Sequence, residues 1–504
     1  MKKQLLTISI LSFLLCACGS SPVEPSSSSS SQESSTSEQP TSSESSSSEE
    51  STSSISSSSE ESSSEPSSSS SSQIVYDTNP MNEPYIGRQY YLNHIGDIYS
   101  TWKQYRGDGQ TIAVIDEGFK YNHEDFFYAD GTSKVSDESA SFTTNSAGQT
   151  TTQVGKTKVD GGEASHGTFC AGVAAAAING KGVVGIAPNA SLLLLKTDLK
   201  PKSIAAAFRY AADHGASVVT ISIGSYYNYE GDLVDDGSDL SKVFDAPVKY
   251  CYDKGIPVIS AGGNGGQSQP TEYTYPAATK YVIGCGGLAA NSTGEIWDGS
   301  SYNSSSQYQF IDVFAPSDMM FGCSNYKQGG KEVVYDGGWD GTSFASPQVA
   351  GLAALYKQKY PSSTAKDFED ALYASCHKIT TSEIAPCSKL GNGRIDVGKL
   401  MGTTSTEKVT VKVRASWTNC YVYAWNLEQE REIAAWPGKA MTKNNNVFTF
   451  EINAGSYESL LFTSDRNGTN KSPDLLTTSF LYGNTYSLTS PTDEIGLKVG
   501  KYTN

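Results

Sequence analysis

Residues 341–351 read Gly-Thr-Ser-Phe-Ala-Ser-Pro-Gln-Val-Ala-Gly, and the rest of the chain takes its place around them. Gly341 permits the backbone geometry of a tight turn. Pro347 is tolerated in a helix only within its first turn, so the spacing predicts a helix starting close to Ser343. The hydroxyl of Ser343 then faces free N–H groups and the positive end of the helix dipole, a setting that favours developing negative charge. Ala345, Ser346, Ala350 and Gly351 are small enough for that helix to pack closely in a core. Taken alone, this is a cap serine on a buried helix. A nucleophile also needs a base, and a carboxylate to orient it.

Five histidines make the search for a base short. His94 lies in a leading segment, His214 near a helix end and His377 near the end of the α/β region, all positions that suit structural or solvated side chains. His123 sits in the polar turn Asn-His-Glu-Asp-Phe. His166 stands in Ser-His-Gly-Thr-Phe-Cys-Ala-Gly, where a small-residue helix begins, so its ring is expected to project from a helix N-terminal turn. The carboxylate comes from Thr-Ile-Ala-Val-Ile-Asp-Glu-Gly at 111–118. There the aliphatic run Ile112–Ile115 closes on Asp116 and Gly118, as the carboxyl end of a buried parallel strand does. Similar runs recur at 191–196, 216–224, 256–264 and 281–287, with helical stretches at 203–214 and 241–254 between them. This alternation predicts a doubly wound, mainly parallel α/β domain over residues 85–400, with its site at the carboxyl ends of the strands.

Residues 113–118, 166–172 and 341–351 together resemble the three catalytic motifs of the subtilisin-like serine peptidases (subtilases), in that family's Asp, His, Ser order. The resemblance implies that Asp116 orients His166, which activates Ser343. Ser-Ala-Gly-Gly-Asn at 260–264 is similar to the family's oxyanion segment, with Asn264 supplying a side-chain amide. Ser222-Ile223-Gly224 resembles the strand that binds the substrate backbone, and Ala261-Gly262-Gly263 the wall of the primary specificity pocket. Gly-Asn-Gly-Arg-Ile-Asp-Val at 391–397 fits the closing segment. Two positions depart from the pattern. Glu117 replaces the usual Ser or Thr, and this second carboxylate either raises the pKa of one of the pair or points into solvent. Gln348 stands where His is frequent, beyond the nucleophile's turn, and is expected to matter less. The family implies no cofactor for the chemistry. Structural calcium is common in it, but no loop here has a recognisable ligand spacing. No folded propeptide is expected before residue 85, so folding without an intramolecular chaperone is the expectation.

From about residue 406 the texture changes to short alternating strands bounded by Asn, Gly, Ser and Pro, which predicts a small all-β sandwich over 406–504. Tyr421, Tyr423 and Trp425 share one face of a strand. At least one of them is expected in the sandwich core. The Val-Tyr-Ala-Trp-Asn strand, the Ala-Trp-Pro-Gly turn and Ser-Pro-Asp-Leu-Leu at 472–476 resemble a family of starch-binding modules. That resemblance implies α-glucan contact through Tyr423, Trp425 and Trp436.

At the other end, Lys2 and Lys3 precede the apolar run Leu5–Leu15, too short to span a bilayer comfortably. It closes on Leu-Cys-Ala-Cys-Gly, which looks like a bacterial lipobox, making 1–18 a signal peptide and Cys18 the lipidated residue. Residues 19–72 are nearly all Ser with scattered Glu, Thr and Pro. They cannot bury enough apolar surface to fold and read as a tether of roughly 40 Å reach. The net charge of −17 argues against nucleic acid and anionic lipid surfaces as electrostatic partners. Seven cysteines remain after Cys16 and Cys18, an odd count that leaves at least one free thiol. Cys376 and Cys387, which close a short loop, are the expected bridge. The sequence therefore predicts a lipid-anchored serine endopeptidase on the outer face of a bacterial membrane, acting on proteins or peptides and carrying an α-glucan-binding module. The alternative is a non-catalytic glycan-binding surface lipoprotein whose peptidase domain is a scaffold.

Overall fold

The structure is a computed structural model that describes residues 76–163, 165–227, 240–266, 273–290, 295–303, 309–380, 382–426, 431–488 and 500–503. Cys18 and the Ser-rich segment at 19–72 lie outside the described residues.

The central sheet is built from β1 (Thr111–Asp116), β2 (Ala140–Thr144), β3 (Thr150–Val154), β4 (Ser191–Thr197) and β5 (Val218–Ile221). A short β6 (Ser225–Tyr227) leaves it to pair with β8 (Tyr273–Tyr275). The sheet resumes with β7 (Val258–Ala261), β9 (Val282–Leu288) and β10 (Val313–Pro316). Among the described residues its order is β10-β9-β7-β5-β1-β4-β2-β3, parallel except for the edge pair β2–β3. Strand period explains why β1 reads as an unbroken apolar run. Ile112 and Val114 face one core, with α2 (Ser165–Ala175) and the nucleophile-bearing helix; Ala113 and Ile115 face the other, with α3 (Pro201–Asp213). The topology reverses at β1, which lies between β4 and β5, so the carboxyl ends of these strands open a crevice there.

Two features escaped the sequence reading. The antiparallel edge strand β3 has four of its five residues exposed and therefore no apolar signal. The hairpin β11 (Met320–Gln328) and β12 (Lys331–Trp339) runs directly into the nucleophile turn. Its Gly329-Gly330 tip has φ values of 59° and 80°, the left-handed pair that a two-residue hairpin turn requires.

The C-terminal region is a sandwich of two sheets. One contains β13 (Lys408–Arg414), β17 (Thr442–Asn444), β18 (Val447–Asn453), β21 (Thr485–Ser487) and β22 (Lys501–Thr503). The other contains β14 (Tyr421–Asn426), β15 (Arg431–Glu432), β16 (Lys439–Ala440), β19 (Ser459–Thr463) and β20 (Leu475–Leu476). In β13 Val409, Val411 and Val413 are buried while Lys408 and Thr410 are exposed, the alternation of a half-buried strand.

The sandwich core is continuous with one core of the α/β sheet through the segment 86–102. Helix α1 (Ile98–Trp102) is wholly buried, and each Leu- or Ile-sized side chain so buried is worth about 2 kcal/mol. Polar stitches accompany it: Thr101 Oγ1 lies 2.6 Å from Thr403 Oγ1, Tyr482 donates to the Tyr99 carbonyl at 3.1 Å, and the Ser405 N–H donates to Asp97 Oδ2 at 3.2 Å. Gly87 sits so close to β22 that a Cβ there would lie 2.1 Å from the Gly500 carbonyl oxygen.

The expected Cys376–Cys387 bridge is not formed, and all seven described cysteines are free thiols. Cys376 instead donates to the Leu372 carbonyl at 3.2 Å, one turn back in its own helix, while Cys387 lies exposed at the start of a 3-10 turn.

Candidate active site

Each of the three motif residues is placed by a close backbone approach. Asp116 ends β1 and is fully buried; His166 is the second residue of α2. Gly167 lets the two meet, because a Cβ there would lie 2.4 Å from the Gly118 carbonyl oxygen and 2.8 Å from Asp116 Cβ. Ser343 lies in the 3-10 turn Thr342–Phe344, entered through Gly341 at φ 146°. The long helix α6 follows from Ala345 (Ala345–Lys359, with two shorter described helices, Leu240–Val243 and Asp245–Asp253, preceding it in the chain). Pro347 therefore falls within its first turn. Gly351 brings this helix against Ile186, whose Cβ would be 2.4 Å from any Cβ at that position.

His166 Nδ1 lies 3.0 Å from both Asp116 oxygens, and the Glu117 N–H donates to Asp116 Oδ1 at 2.8 Å. The ring is thus oriented with Nδ1–H toward the carboxylate and Nε2 available as a base. Nε2 is buried with no hydrogen-bond partner among the described residues. Ser343 Oγ donates to the Ser222 carbonyl at 3.1 Å instead, so the hydroxyl must turn before it can use the imidazole. Burial opposes a charged His166, yet the charge and hydrogen bond of Asp116, with Glu117 adding to them, outweigh it and leave its pKa raised. Glu117 is half-buried, not pointing freely into solvent. Its own pKa is raised by burial first and by Asp116 second.

The Subtilase family profile matches residues 107–396, more than half of the chain, and the motif residues fall within it. The chain belongs to the subtilase family. It is 30% identical to thermitase from Thermoactinomyces vulgaris over 282 residues, covering 54% of this chain and 84% of thermitase. It is 29% identical to subtilisin DY from Bacillus licheniformis, covering 58% of this chain and 91% of that protein. Among solved structures, fervidolysin from Fervidobacterium pennivorans shares the fold with a TM-score of 0.51 at 19% identity, covering 77% of this chain and 57% of that one. The starch-binding module 26 profile matches residues 409–476. The protein is therefore a subtilisin-like serine peptidase with a starch-binding module.

Within this subtilase, Asn264 follows β7, and its Oδ1 accepts from Thr342 N–H at 3.0 Å and from Thr342 Oγ1 at 2.8 Å. Anchoring the oxygen this way turns the amide NH2 away from Thr342. Thr342 also accepts from the Gly263 N–H at 3.0 Å. It is a positioning residue that the sequence reading passed over although it lies inside the nucleophile motif. Ser222 donates to the Ser343 carbonyl at 2.7 Å and so holds the turn from the β5 side. Gly224 packs against Thr274, whose Cγ2 would be 2.5 Å from a Cβ. Ala261 is buried, and Gly262 is pressed between Ile311 and the Cys285 carbonyl, leaving no room for a side chain. Gln348 is fully buried and ties the Pro316 and Phe344 carbonyls with bonds of 2.6 and 2.7 Å, a larger structural role than its position suggested. Trp339, from the unforeseen hairpin, packs on Phe169 and Phe344, and Phe344 lies 6.0 Å from the His166 ring.

His123, His214 and His377 have structural roles. His123 is buried, with Nε2–H donating to the Val334 carbonyl at 2.8 Å and Nδ1 accepting from the Asp125 N–H at 3.1 Å. His214 stacks on Tyr210, and His377 is bonded to Asp396.

Calcium takes six to eight oxygen ligands. Among the described residues, the groups of three His, Cys, Asp or Glu side chains whose ligand atoms converge each contain a histidine: Asp116–His166–Cys170, His123–Asp125–Cys323 and His377–Asp396–Glu458. Beside the second, residues 180–183 turn N–H groups onto Glu83 and Asp125. Donors of that polarity suit carboxylates, not a cation. These residues do not fit calcium, and no chemical step is routed through a metal.

In the starch-binding module, Tyr423, Trp425 and Trp436 form one aromatic stripe. Tyr423 lies 5.7 Å from Trp425 and 5.4 Å from Trp436, centroid to centroid. The expectation that an aromatic of β14 would enter the core is overturned: Val422 and Ala424 fill it, while Tyr421, Tyr423 and Trp425 stay half-buried on the other face. Trp436 is 41% exposed, with its indole N–H donating to the Arg466 carbonyl at 2.6 Å.

Proposed function

We propose that this protein is a lipid-anchored endopeptidase on the outer face of a bacterial membrane, cleaving peptide bonds through an acyl-enzyme on Ser343. The observation that carries the catalytic part is the His166–Asp116 pair, with Nδ1 held at 3.0 Å by both carboxylate oxygens and Nε2 without a partner among the described residues. In this reading Ser343 Oγ leaves the Ser222 carbonyl, passes its proton to Nε2 and attacks the scissile carbonyl. Asp116 stabilises the imidazolium without taking the proton. The Asn264 amide donates to the oxyanion as the tetrahedral intermediate forms, where a preorganised donor is worth most. The imidazolium then protonates the leaving amine, and water repeats the sequence on the acyl-enzyme.

The anchoring part rests on the lipobox-like segment ending at Cys18 and on the Ser-rich tether. Held there, the peptidase acts on proteins close to polysaccharide, which Tyr423, Trp425 and Trp436 would contact. Peptide hydrolysis by the chain from residue 19 onward, compared with Ser343→Ala, tests the chemistry. The variant is expected to lose about 10⁶-fold in kcat. Equal hydrolysis by both proteins would refute the assignment of Ser343, and none by either would favour the scaffold reading. Labelling with a radioactive fatty acid in cells, compared with Cys18→Ser, tests the anchor.

A further inference from the structure

The aromatic stripe does not end on the module. Trp425 forms one wall of a small cavity of about 50 Å³ that it shares with Glu458, Asp474 and, from the peptidase side, Asn93, His94 and Arg394. Asn93, His94, Asp474 and Leu475 also line a larger crevice of about 230 Å³ that continues along the seam between residues 86–94 and 471–475. The two spaces adjoin through these four shared residues, and together they make a groove whose smaller end is walled by the half-buried Trp425.

Its lining has a definite chemistry. Among the described residues the Arg394 guanidinium makes no hydrogen bond or ion pair, although its backbone is fixed by two bonds of 2.8 Å to His377. His94 packs edge-on to Tyr90 at 5.3 Å and is kept neutral, with a pKa lowered to about 4 by burial and then by Arg394, so its ring carries one donor and one acceptor. Glu458 and Asp474 add acceptors. Donors and acceptors interleaved around an aromatic face match a pyranose, whose hydroxyls each donate and accept and whose ring stacks on indole. The guanidinium fork is suited to span two neighbouring hydroxyls. An anion would meet two carboxylates, and an apolar ligand would strand the charges. The larger crevice, about 230 Å³, lies just below the roughly 300–1,000 Å³ of pockets for drug-sized ligands, a scale that suits one sugar unit.

We propose that the α-glucan site is composite: the glucan stacked on Tyr423, Trp425 and Trp436 places a further glucosyl unit in this groove, where Arg394 and His94 of the peptidase domain hold it. This rests on the reading that the module binds glucan through its aromatic stripe. The peptidase domain thereby becomes part of the polysaccharide receptor.

Two measurements on the chain from residue 19 onward, with maltoheptaose as probe, test it. By calorimetry, Arg394→Ala is expected to weaken binding about 10-fold and Arg394→Lys to recover part of it, with thermal unfolding reported for each. Wild-type affinity in Arg394→Ala together with loss of binding in Trp436→Ala would overturn the composite site while leaving the stripe in place. Absence of binding by the wild-type chain would overturn both. By hydrogen exchange, the sugar is expected to slow exchange at residues 90–96 and 392–397 as well as in the module. Protection confined to residues 421–476 would overturn the proposal without any substitution.

Discussion

The peptidase site and the aromatic stripe use opposite designs. Asp116 and Ser343 are fully buried and His166 nearly so, with Asp116 and His166 brought together at Gly167 and the Ser343 turn entered through Gly341. Tyr423 and Trp425 share one face of β14 by strand alternation, and Trp436 joins them from the turn before β16, with solvent within reach. On the proposed function, the chemistry has to be exact to within a rotamer, whereas a stacking surface of this kind would accept a ligand from many approaches. Local damage should therefore cost the first region turnover and the second affinity, with little exchange between the two.

After Ser343→Ala, the largest break in that contrast comes from Asn264→Ala. With Asn264 as the proposed oxyanion donor, its removal is expected to lower kcat about 100- to 1,000-fold, roughly 2.7–4 kcal/mol, with KM and starch retention nearly unchanged, as read by steady-state kinetics and a starch pull-down. A smaller effect is expected from Trp436→Ala. It should abolish retention on insoluble starch and leave peptide kcat intact, while the melting temperature falls by only a few degrees, since the residue is 41% exposed. A large stability loss would mean that the stripe is structural after all. The finest test is Glu117→Gln. The active imidazole is neutral, so activity rises with pH through the raised pKa of His166. Glu117 contributes to that rise after Asp116, so removing its charge lowers the His166 pKa and moves the acid limb of the kcat profile to lower pH. An unmoved limb would show that Glu117 does not act on the imidazole.

What the sequence disclosed follows the same division. The strand run at Ile112–Ile115 and the glycines after Asp116, after His166 and before Ser343 are legible because parallel strands and close backbone contacts leave few residue choices. Gly167 is a direct case, since its neighbours leave no space for a Cβ. The hairpin from Met320 to Trp339 was illegible: its outer half is polar and solvated, and only Gly329-Gly330 marked it. The groove beside Trp425 was illegible for a different reason. Asn93 is far in sequence from both Arg394 and Asp474, which themselves belong to different domains, and no periodicity connects the three. The expected pairing of Cys376 with Cys387 relied on sequence separation, whereas each thiol belongs to its own local turn.

The joint between peptidase and module has a further meaning for a molecule that cuts proteins. A peptidase cleaves where a chain can lie extended in its cleft, and exposed linkers are the usual place. Here the joining residues after Met401 are pinned in alternation, Thr403 by Thr101 and Ser405 by Asp97, while Gly87 is pressed against Gly500. A neighbouring copy must pull out both anchors before it can thread this stretch. By these contacts the seam would resist self-digestion at a joint where a cut parts the peptidase from its starch-binding module.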